Sequence, residues 1–231
     1  MATIILVPGF WLDASSWDEV VPALRAAGHD PYPVTLPGLE SADADRTGIG
    51  LQDHIDAVVA VVDSFEVPVV LVGHSGGGPI VHGVTDRRPD RVSRVVYVDS
   101  GPGAEGTCVN DELPHDGVDL PLPEWSVFGE EDLRDLTPEL LDAFAARAVP
   151  TPAHAAIDPL RLHDERRYDV PVTVVSTTFP RADLEAMIAA EHPFTGDLVR
   201  IRDVSLVELP TGHWPQLSKP DELARAILDA L

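Results

Sequence analysis

Short apolar runs rich in β-branched residues alternate along this chain with segments whose apolar residues recur at helical spacing. The runs cover residues 3–7, 31–36, 67–72, 92–98, 170–176 and 203–209. The helical segments cover residues 17–27, 52–64, 78–88, 138–148, 181–190 and 221–231. Strands that alternate with helices predict an α/β fold: a mostly parallel sheet of about six strands, flanked by helices on both faces.

Residues 100–168 break this alternation. The segment is rich in proline and acidic residues and contains one predicted helix. It is too long for a plain connection and begins at the edge where parallel strands end, which is where open sheets of this kind bind ligands. We therefore expect residues 1–99 and 169–231 to form the core and residues 100–168 to form a lid.

The charge of the chain limits the kinds of partner that it can bind. The net charge is −23, from 39 acidic and 16 basic residues. Such a surface repels phosphate backbones and anionic lipids, so we expect a neutral small-molecule substrate and neither nucleic acid nor membrane. No apolar run approaches the ~18 residues of a membrane span. An N-terminal stretch typical of a buried strand and a single cysteine, Cys108, favour the cytoplasm; the sequence leaves the oligomeric state open.

The segment Gly73-His74-Ser75-Gly76-Gly77 matches the pattern G-x-S-x-G. It follows a predicted strand and precedes a predicted helix, which is the context of a strained turn that exposes a nucleophilic serine. The alternative, a glycine-rich phosphate turn, lacks both the G-x-x-x-x-G-K-[ST] pattern and a nearby basic residue. The pattern therefore predicts that Ser75 is a nucleophile.

A serine hydroxyl needs a base to take its proton, and His213 is the predicted base. It follows the last predicted strand, at the same edge of the sheet as Ser75, and Gly212 lets its loop turn back. The alternatives are weaker, because His74 is expected to point away from the nucleophile and His82 to pack against the sheet.

The chain resembles the α/β-hydrolase superfamily, in particular its small lidded branch of plant-type methylesterases, hydroxynitrile lyases and their bacterial relatives. Five segments carry the resemblance in the family's order: Leu6-Val7-Pro8-Gly9-Phe10-Trp11, Ser16-Trp17, Leu36-Pro37-Gly38, Gly73-His74-Ser75-Gly76-Gly77 and Gly212-His213-Trp214. The family usually has histidine at the position of Pro8. No motif covers the predicted lid.

Two backbone amides are the predicted oxyanion donors. The strained turn supplies the amide of Gly76, and the loop after the first strand supplies that of Phe10. Trp11 is expected to add a wall to the substrate pocket. Three lid residues are expected to line that pocket or, alternatively, to form the interior of the lid: Trp125, Phe128 and Phe144.

The acid of the triad is the least determined residue. At the position where the family most often has aspartate, this chain has about Phe179. Asp99, at the end of the strand 92–98, is the preferred candidate, because some lidded members of the superfamily hold their acid there. Asp183 is the alternative, although its place in the first turn of a helix suits it without any catalytic role. A lid carboxylate, or no acid at all, remains open.

These residues predict a cofactor-free serine hydrolase that cleaves a carboxylic ester, lactone or thioester through an acyl-enzyme. No histidine or carboxylate pairs have the spacing of a metal site, so we expect none. One alternative is a lyase on the same scaffold that uses His213 as its base. The other is a non-catalytic ligand-binding protein with the same fold.

Overall fold

A six-stranded parallel sheet is the centre of this computed structural model, which describes residues 1–231 except the side chains at positions 193 and 194. The strands are β1 (Thr3–Val7), β2 (Asp30–Pro33), β3 (Val69–His74), β4 (Val92–Val98), β7 (Val172–Ser176) and β8 (Val204–Glu208). They lie in the order β2-β1-β3-β4-β7-β8, and every neighbouring pair is parallel. The predicted fold class is confirmed.

Helices and two short strands occupy the connections. The helices are α1 (Val21–Ala26), α2 (Leu51–Asp63), α3 (Gly77–Arg87), α4 (Pro138–Arg147), α5 (Ala153–Ile157), α6 (Arg181–Ala189), α7 (Pro215–Ser218) and α8 (Pro220–Asp229). Shorter 3-10 segments cover Ala14–Trp17, Pro89–Arg91, Trp125–Val127, Glu165–Asp169 and Pro193–Arg200. The short strands β5 (Asp119–Leu120) and β6 (Thr151–Pro152) pair antiparallel. Among the helices described, none is both long and apolar enough to cross a membrane.

The inner strands of the sheet are buried on both faces, as β1 illustrates, whereas the edge strands β2 and β8 are partly exposed. Ile5 and Val7 belong to the hydrophobic cluster that contains α2 and α3. Ile4 and Leu6 point to the opposite face and pack in the cluster that contains α1 and α8. Successive side chains of a strand point to opposite faces, so a strand between two helical layers must be apolar at every position.

Two predicted elements differ from the structure by three or more residues at one end. The strand predicted at 31–36 ends at Pro33, because the chain then leaves the sheet while Val34 and Leu36 stay buried in the same cluster as α2. The helix predicted at 17–27 begins only at Val21, after a separate 3-10 turn. Pro22 explains this start, since proline has no amide proton to donate and is tolerated only in the first turn of a helix.

The segment 100–168 contains α4, α5, β5 and β6 and is hydrogen-bonded to loops that follow strands of the sheet. The helix predicted at 138–148 is present as α4. The amide of Val149 donates to the carbonyl of Trp11 at 3.0 Å, and the guanidinium of Arg46 donates to the carbonyl of Pro150 at 2.7 Å. The segment is therefore joined to the loops that follow β1 and β2.

Candidate active site

Ser75 lies at the tight turn between β3 and α3. Its φ of 51° is in the left-handed region, which strains a residue with a β-carbon. A β-carbon at Gly77 would lie 2.7 Å from the carbonyl oxygens of Val7 and Pro8, so only glycine allows α3 to begin this close to β1. The turn places the Ser75 side chain on the wall of a cavity at the carboxyl edge of the sheet.

His213 follows β8 and reaches the same cavity. Its Nε2 lies 2.7 Å from Oγ of Ser75. The backbone of its loop is bonded to segment 100–168: the amide of His213 donates to the carbonyl of Asp132 at 2.8 Å, and that of Gly212 to the carbonyl of Arg134 at 3.1 Å. The structure thus brings the predicted nucleophile and the predicted base into hydrogen-bond contact.

Asp99 completes the arrangement from the end of β4. Its Oδ2 lies 2.7 Å from Nδ1 of His213, and its Oδ1 accepts hydrogen bonds from the amides of Thr177 and Thr178, each at 3.0 Å. Burial alone would raise the pKa of Asp99, but the hydrogen bond and charge of His213 and the two threonine amides outweigh burial and lower the pKa to about 2. As a carboxylate, Asp99 accepts the N–H of Nδ1 of His213. The proton of the neutral ring therefore lies on Nδ1, and Nε2, without a proton, faces the hydroxyl of Ser75.

Asp183, the alternative acid, lies elsewhere. It is exposed in the first turn of α6, as its position after Pro180 predicts. Among the described residues, the carboxylate hydrogen-bonded to His213 is that of Asp99.

Neither of the other two histidines near the turn bonds to Ser75 in the part of the chain that the structure describes. His74 is fully buried, and its Nε2 lies 2.6 Å from the carbonyl oxygen of His213. Burial, together with the charge of His213, lowers the pKa of His74 to about 3. His82 packs against the sheet, with its Nδ1 3.0 Å from the hydroxyl of Tyr97 on β4.

The cavity beside Ser75 has a volume of about 630 Å³ and contains the two predicted oxyanion donors in its lining. Phe10 packs its ring so close to Gly76 that a β-carbon there would lie 2.7 Å from Cε1 of the ring. Within the described residues, the amides of Phe10 and Gly76 donate no hydrogen bond to another protein group. Both amides are therefore available to a bound oxygen.

The predicted pocket aromatics divide into two groups. Trp11 and Phe128 line the cavity, with their ring centroids 5.9 Å apart. Trp125 and Phe144 do not: they pack on each other and on Trp214, with centroids 5.3–6.2 Å apart. The lining role predicted for these two residues is thus corrected to support of the aromatic wall, because Trp214 offers them an apolar surface behind it.

Phe144 also borders a second, smaller cavity of about 220 Å³. This cavity lies between α4 and the 3-10 turn Ala14–Trp17, and neither Ser75 nor His213 belongs to its lining. Ser75 and His213 therefore border the larger cavity and not this one.

The lining of the larger cavity contains carboxylate side chains. Asp99, Glu112 and Asp132 belong to its lining, and no lysine or arginine does among the described residues. Sequence reasoning missed Glu112 and Asp132, because the segment that supplies them has no motif to align. In the same described part of the chain, no three His, Cys, Asp or Glu side chains come together as metal ligands.

Comparisons with known proteins agree with this fold. The sequence profile described as "Alpha/beta hydrolase family" matches residues 4–226. A carbendazim hydrolyzing esterase from Nocardioides sp. (strain SG-4G) is 33% identical over 116 residues, which are 49% of this chain and 48% of that protein. A pyrethroid hydrolase from Sphingobium wenxiniae is 26% identical over 244 residues, covering 98% of this chain and 86% of that protein. The chain thus matches about half the length of the first relative and most of the second.

Solved structures share the fold. An extracellular alpha/beta-hydrolase from a Paenibacillus species superposes with a TM-score of 0.78 at 21% identity, covering 100% of this chain and 99% of that one. At this identity, the likeness is one of fold. It extends over the sheet, the helices and the segment 100–168 alike.

Proposed function

This chain belongs to the alpha/beta hydrolase family, and on that premise we propose that it is a serine esterase that cleaves a carboxylic ester through an acyl-enzyme. One observation carries the proposal: Nε2 of His213 lies 2.7 Å from Oγ of Ser75, while Nδ1 lies 2.7 Å from Asp99. This is the arrangement in which a neutral imidazole can take a proton from a hydroxyl. Relatives named as esterases and hydrolases support the same class of reaction.

The proposed reaction has two halves. His213 takes the hydroxyl proton of Ser75 while Oγ bonds to the ester carbonyl carbon, and the amides of Phe10 and Gly76 stabilise the oxyanion. The carbon–oxygen bond to the alcohol then breaks, and His213 gives its proton to the departing oxygen. Water next loses a proton to His213 and attacks the acyl carbon. The proton returns to Ser75 as the acid leaves.

Asp99 has a supporting role in this proposal. It fixes the tautomer of His213 and stabilises the imidazolium that forms in each half-reaction, without itself taking the proton. The three donors on its Oδ1, from Thr177 and Thr178, favour the charged form that this role needs.

The cavity favours a neutral ester with an apolar or aromatic part. Phe10, Trp11 and Phe128 give it aromatic walls, and apolar walls with few polar groups are typical of small-molecule sites. Glu112 and Asp132 would repel a substrate that carries a carboxylate, and the net charge of −23 acts in the same direction.

We further propose that residues 100–168 form the lid of this site, with residues 1–99 and 169–231 as its core. Phe128 and Asp132, both from this segment, belong to the cavity lining. The cytoplasmic location and the absence of nucleic-acid and membrane partners stay predictions from the sequence.

The lyase alternative has less support. The lyases that the chain resembles usually place a lysine or another dedicated polar group near the site, and the single lysine here, Lys219, bonds instead to the carbonyl of Pro210 and to Asp135.

The test is labelling with a fluorophosphonate probe followed by mass mapping of the adduct. The phosphorus bonds to Oγ of an activated serine and fluoride leaves, so we expect one adduct on Ser75 and none on Ser75→Ala. In parallel, neutral 4-nitrophenyl and short alkyl esters are compared with esters of the same size that carry a carboxylate. Turnover of the neutral esters alone supports the proposal. Labelling elsewhere, or no turnover of any ester, contradicts it.

A further inference from the structure

His74 is the residue directly before Ser75, yet its side chain is turned away from the cavity. It is fully buried and is not part of the cavity lining. Its ring instead lies beside that of His213, with centroids 5.1 Å apart. Gly9 allows this placement, because a β-carbon there would lie 3.0 Å from Nδ1 of His74.

The hydrogen bonds of His74 define where its proton lies. Its Nε2 is 2.6 Å from the carbonyl oxygen of His213. A carbonyl oxygen only accepts, so Nε2 must carry the proton and donate. Nδ1, left with its lone pair, is 3.2 Å from Nε2 of Gln216, which can donate to it. Burial favours the neutral imidazole that both bonds need.

These bonds hold both ends of the segment that carries the base. Gln216 lies in α7, three residues after His213, and is itself fully buried. The amide of His213 is already bonded to the carbonyl of Asp132. The carbonyl of His213 has His74 as its partner. Segment 100–168 therefore holds the backbone of His213 at its amide, and the residue before Ser75 holds it at its carbonyl.

We propose that His74 is a positioning residue for the esterase reaction: its hydrogen bond to the carbonyl of His213 sets the distance between the imidazole and Oγ of Ser75. This inference rests on the proposed function. Its physical basis is that a proton passes directly between two groups only at hydrogen-bond distance, and an error of ~1 Å can cost ~100-fold in rate. Because His74 adjoins Ser75 in the chain, one bond ties the base to the nucleophile.

The experiment compares two side chains of similar length. His74→Gln keeps an N–H group that can donate to the carbonyl of His213, and His74→Met has none. With a neutral 4-nitrophenyl ester, we expect His74→Met to lower kcat by at least about tenfold with KM changed less than about twofold. His74→Gln should stay within about threefold of the wild type. Thermal unfolding of each variant shows whether the assayed protein is folded.

Gln216→Leu keeps the inference testable if His74→Met fails to fold. It leaves His74 in place but removes the donor to Nδ1, so we expect a smaller loss of kcat, of about threefold or more, again without a matching rise in KM. Equal kcat for the Gln and Met variants, or an unchanged kcat in Gln216→Leu, would overturn the role of His74.

A measurement independent of activity completes the test. In ¹⁵N-histidine NMR of the wild type, assigned with His74→Gln, we expect His74 to keep its proton on Nε2 from about pH 5 to pH 8. Titration in this range, or a proton on Nδ1, would overturn the inference. A wild type that neither reacts with fluorophosphonate nor cleaves esters contradicts the proposed function itself. An active wild type, together with equal kcat values for His74→Gln and His74→Met, contradicts only the role of His74.

Discussion

Replacing Asp99 by asparagine would remove the charge that orients His213 while leaving the shape of the site nearly unchanged. In the wild type, Oδ1 of Asp99 accepts bonds from Thr177 and Thr178. These donors would hold the carbonyl oxygen of the new amide in the same place. The NH₂ group must then face Nδ1 of His213, which can pair with it only as an acceptor.

The size of the effect follows from this change of tautomer. When Nδ1 of His213 accepts from the NH₂ group of the new amide, the ring carries its proton on Nε2, which faces Ser75 and can no longer take the hydroxyl proton. An aspartate-to-asparagine change at the corresponding place in serine proteases lowers kcat by ~10⁴-fold. We therefore expect kcat/KM to fall by about 10³- to 10⁴-fold, or about 4–5 kcal/mol in transition-state free energy.

The assay is steady-state hydrolysis of a neutral 4-nitrophenyl ester, with circular dichroism to show that the variant is folded. Asp183→Asn is the matched control, because Asp183 is exposed on α6 and should change kcat/KM less than about twofold. The reasoning is refuted if Asp99→Asn keeps more than about a tenth of the wild-type kcat/KM, or if Asp183→Asn loses about tenfold or more.

Three further outcomes concern stability. Gly77→Ala should lower the free energy of unfolding in urea by about 2 kcal/mol, because the added carbon would lie 2.7 Å from the carbonyl of Pro8; an unchanged urea midpoint would contradict the packing of this turn. Arg167→Met should cost about 3–5 kcal/mol in the same measurement, since it removes the cation that lies 3.1 Å from the buried carboxylate of Asp86 and leaves that charge with two backbone amides as its donors; an unchanged midpoint would show that this ion pair contributes nothing. The pKa of Asp99 is about 2 in the folded chain against an ordinary 3.8, so its contribution of about 2 kcal/mol is present above about pH 4 and is lost as the pH falls towards 2. Asp99→Asn should therefore unfold with a shallower pH dependence over this range, and equal slopes would argue against the lowered pKa.

The sequence was sufficient to predict the sheet and to select Ser75, His213 and Asp99, which the structure brings into hydrogen-bond contact. Burial on both faces requires apolar residues at every position of the inner strands, so these strands were visible as runs, and Gly73-His74-Ser75-Gly76-Gly77 could be placed at a strand-to-helix turn. Asp99 could be preferred over Asp183 because it directly follows a strand at the edge where His213 was also expected, and because some lidded members of the superfamily hold their acid there. These predictions depend on local pattern, on the topology of parallel sheets and on the family resemblance.

What the sequence could not supply depends on contacts between distant segments. The partner of His74 is a backbone atom 139 residues away, so no local pattern predicts it. Trp125 and Phe144 could be recognised as apolar. Whether they face the cavity or Trp214 depends on how segment 100–168 packs against the core. The strands Asp119–Leu120 and Thr151–Pro152 are too short to have a period of their own.

The loop that carries His213 is held by the carbonyl oxygens of Asp132 and Arg134, not by their side chains. Every amino acid has a carbonyl oxygen, so substitutions at 132 and 134 that keep the backbone in place also keep the two bonds. The side chain of Asp132 lines the cavity, so a substitution there can change which molecules the cavity accepts while the backbone carbonyl still holds the loop of His213. At this one position, the selection of a ligand and the placement of the imidazole depend on different atoms.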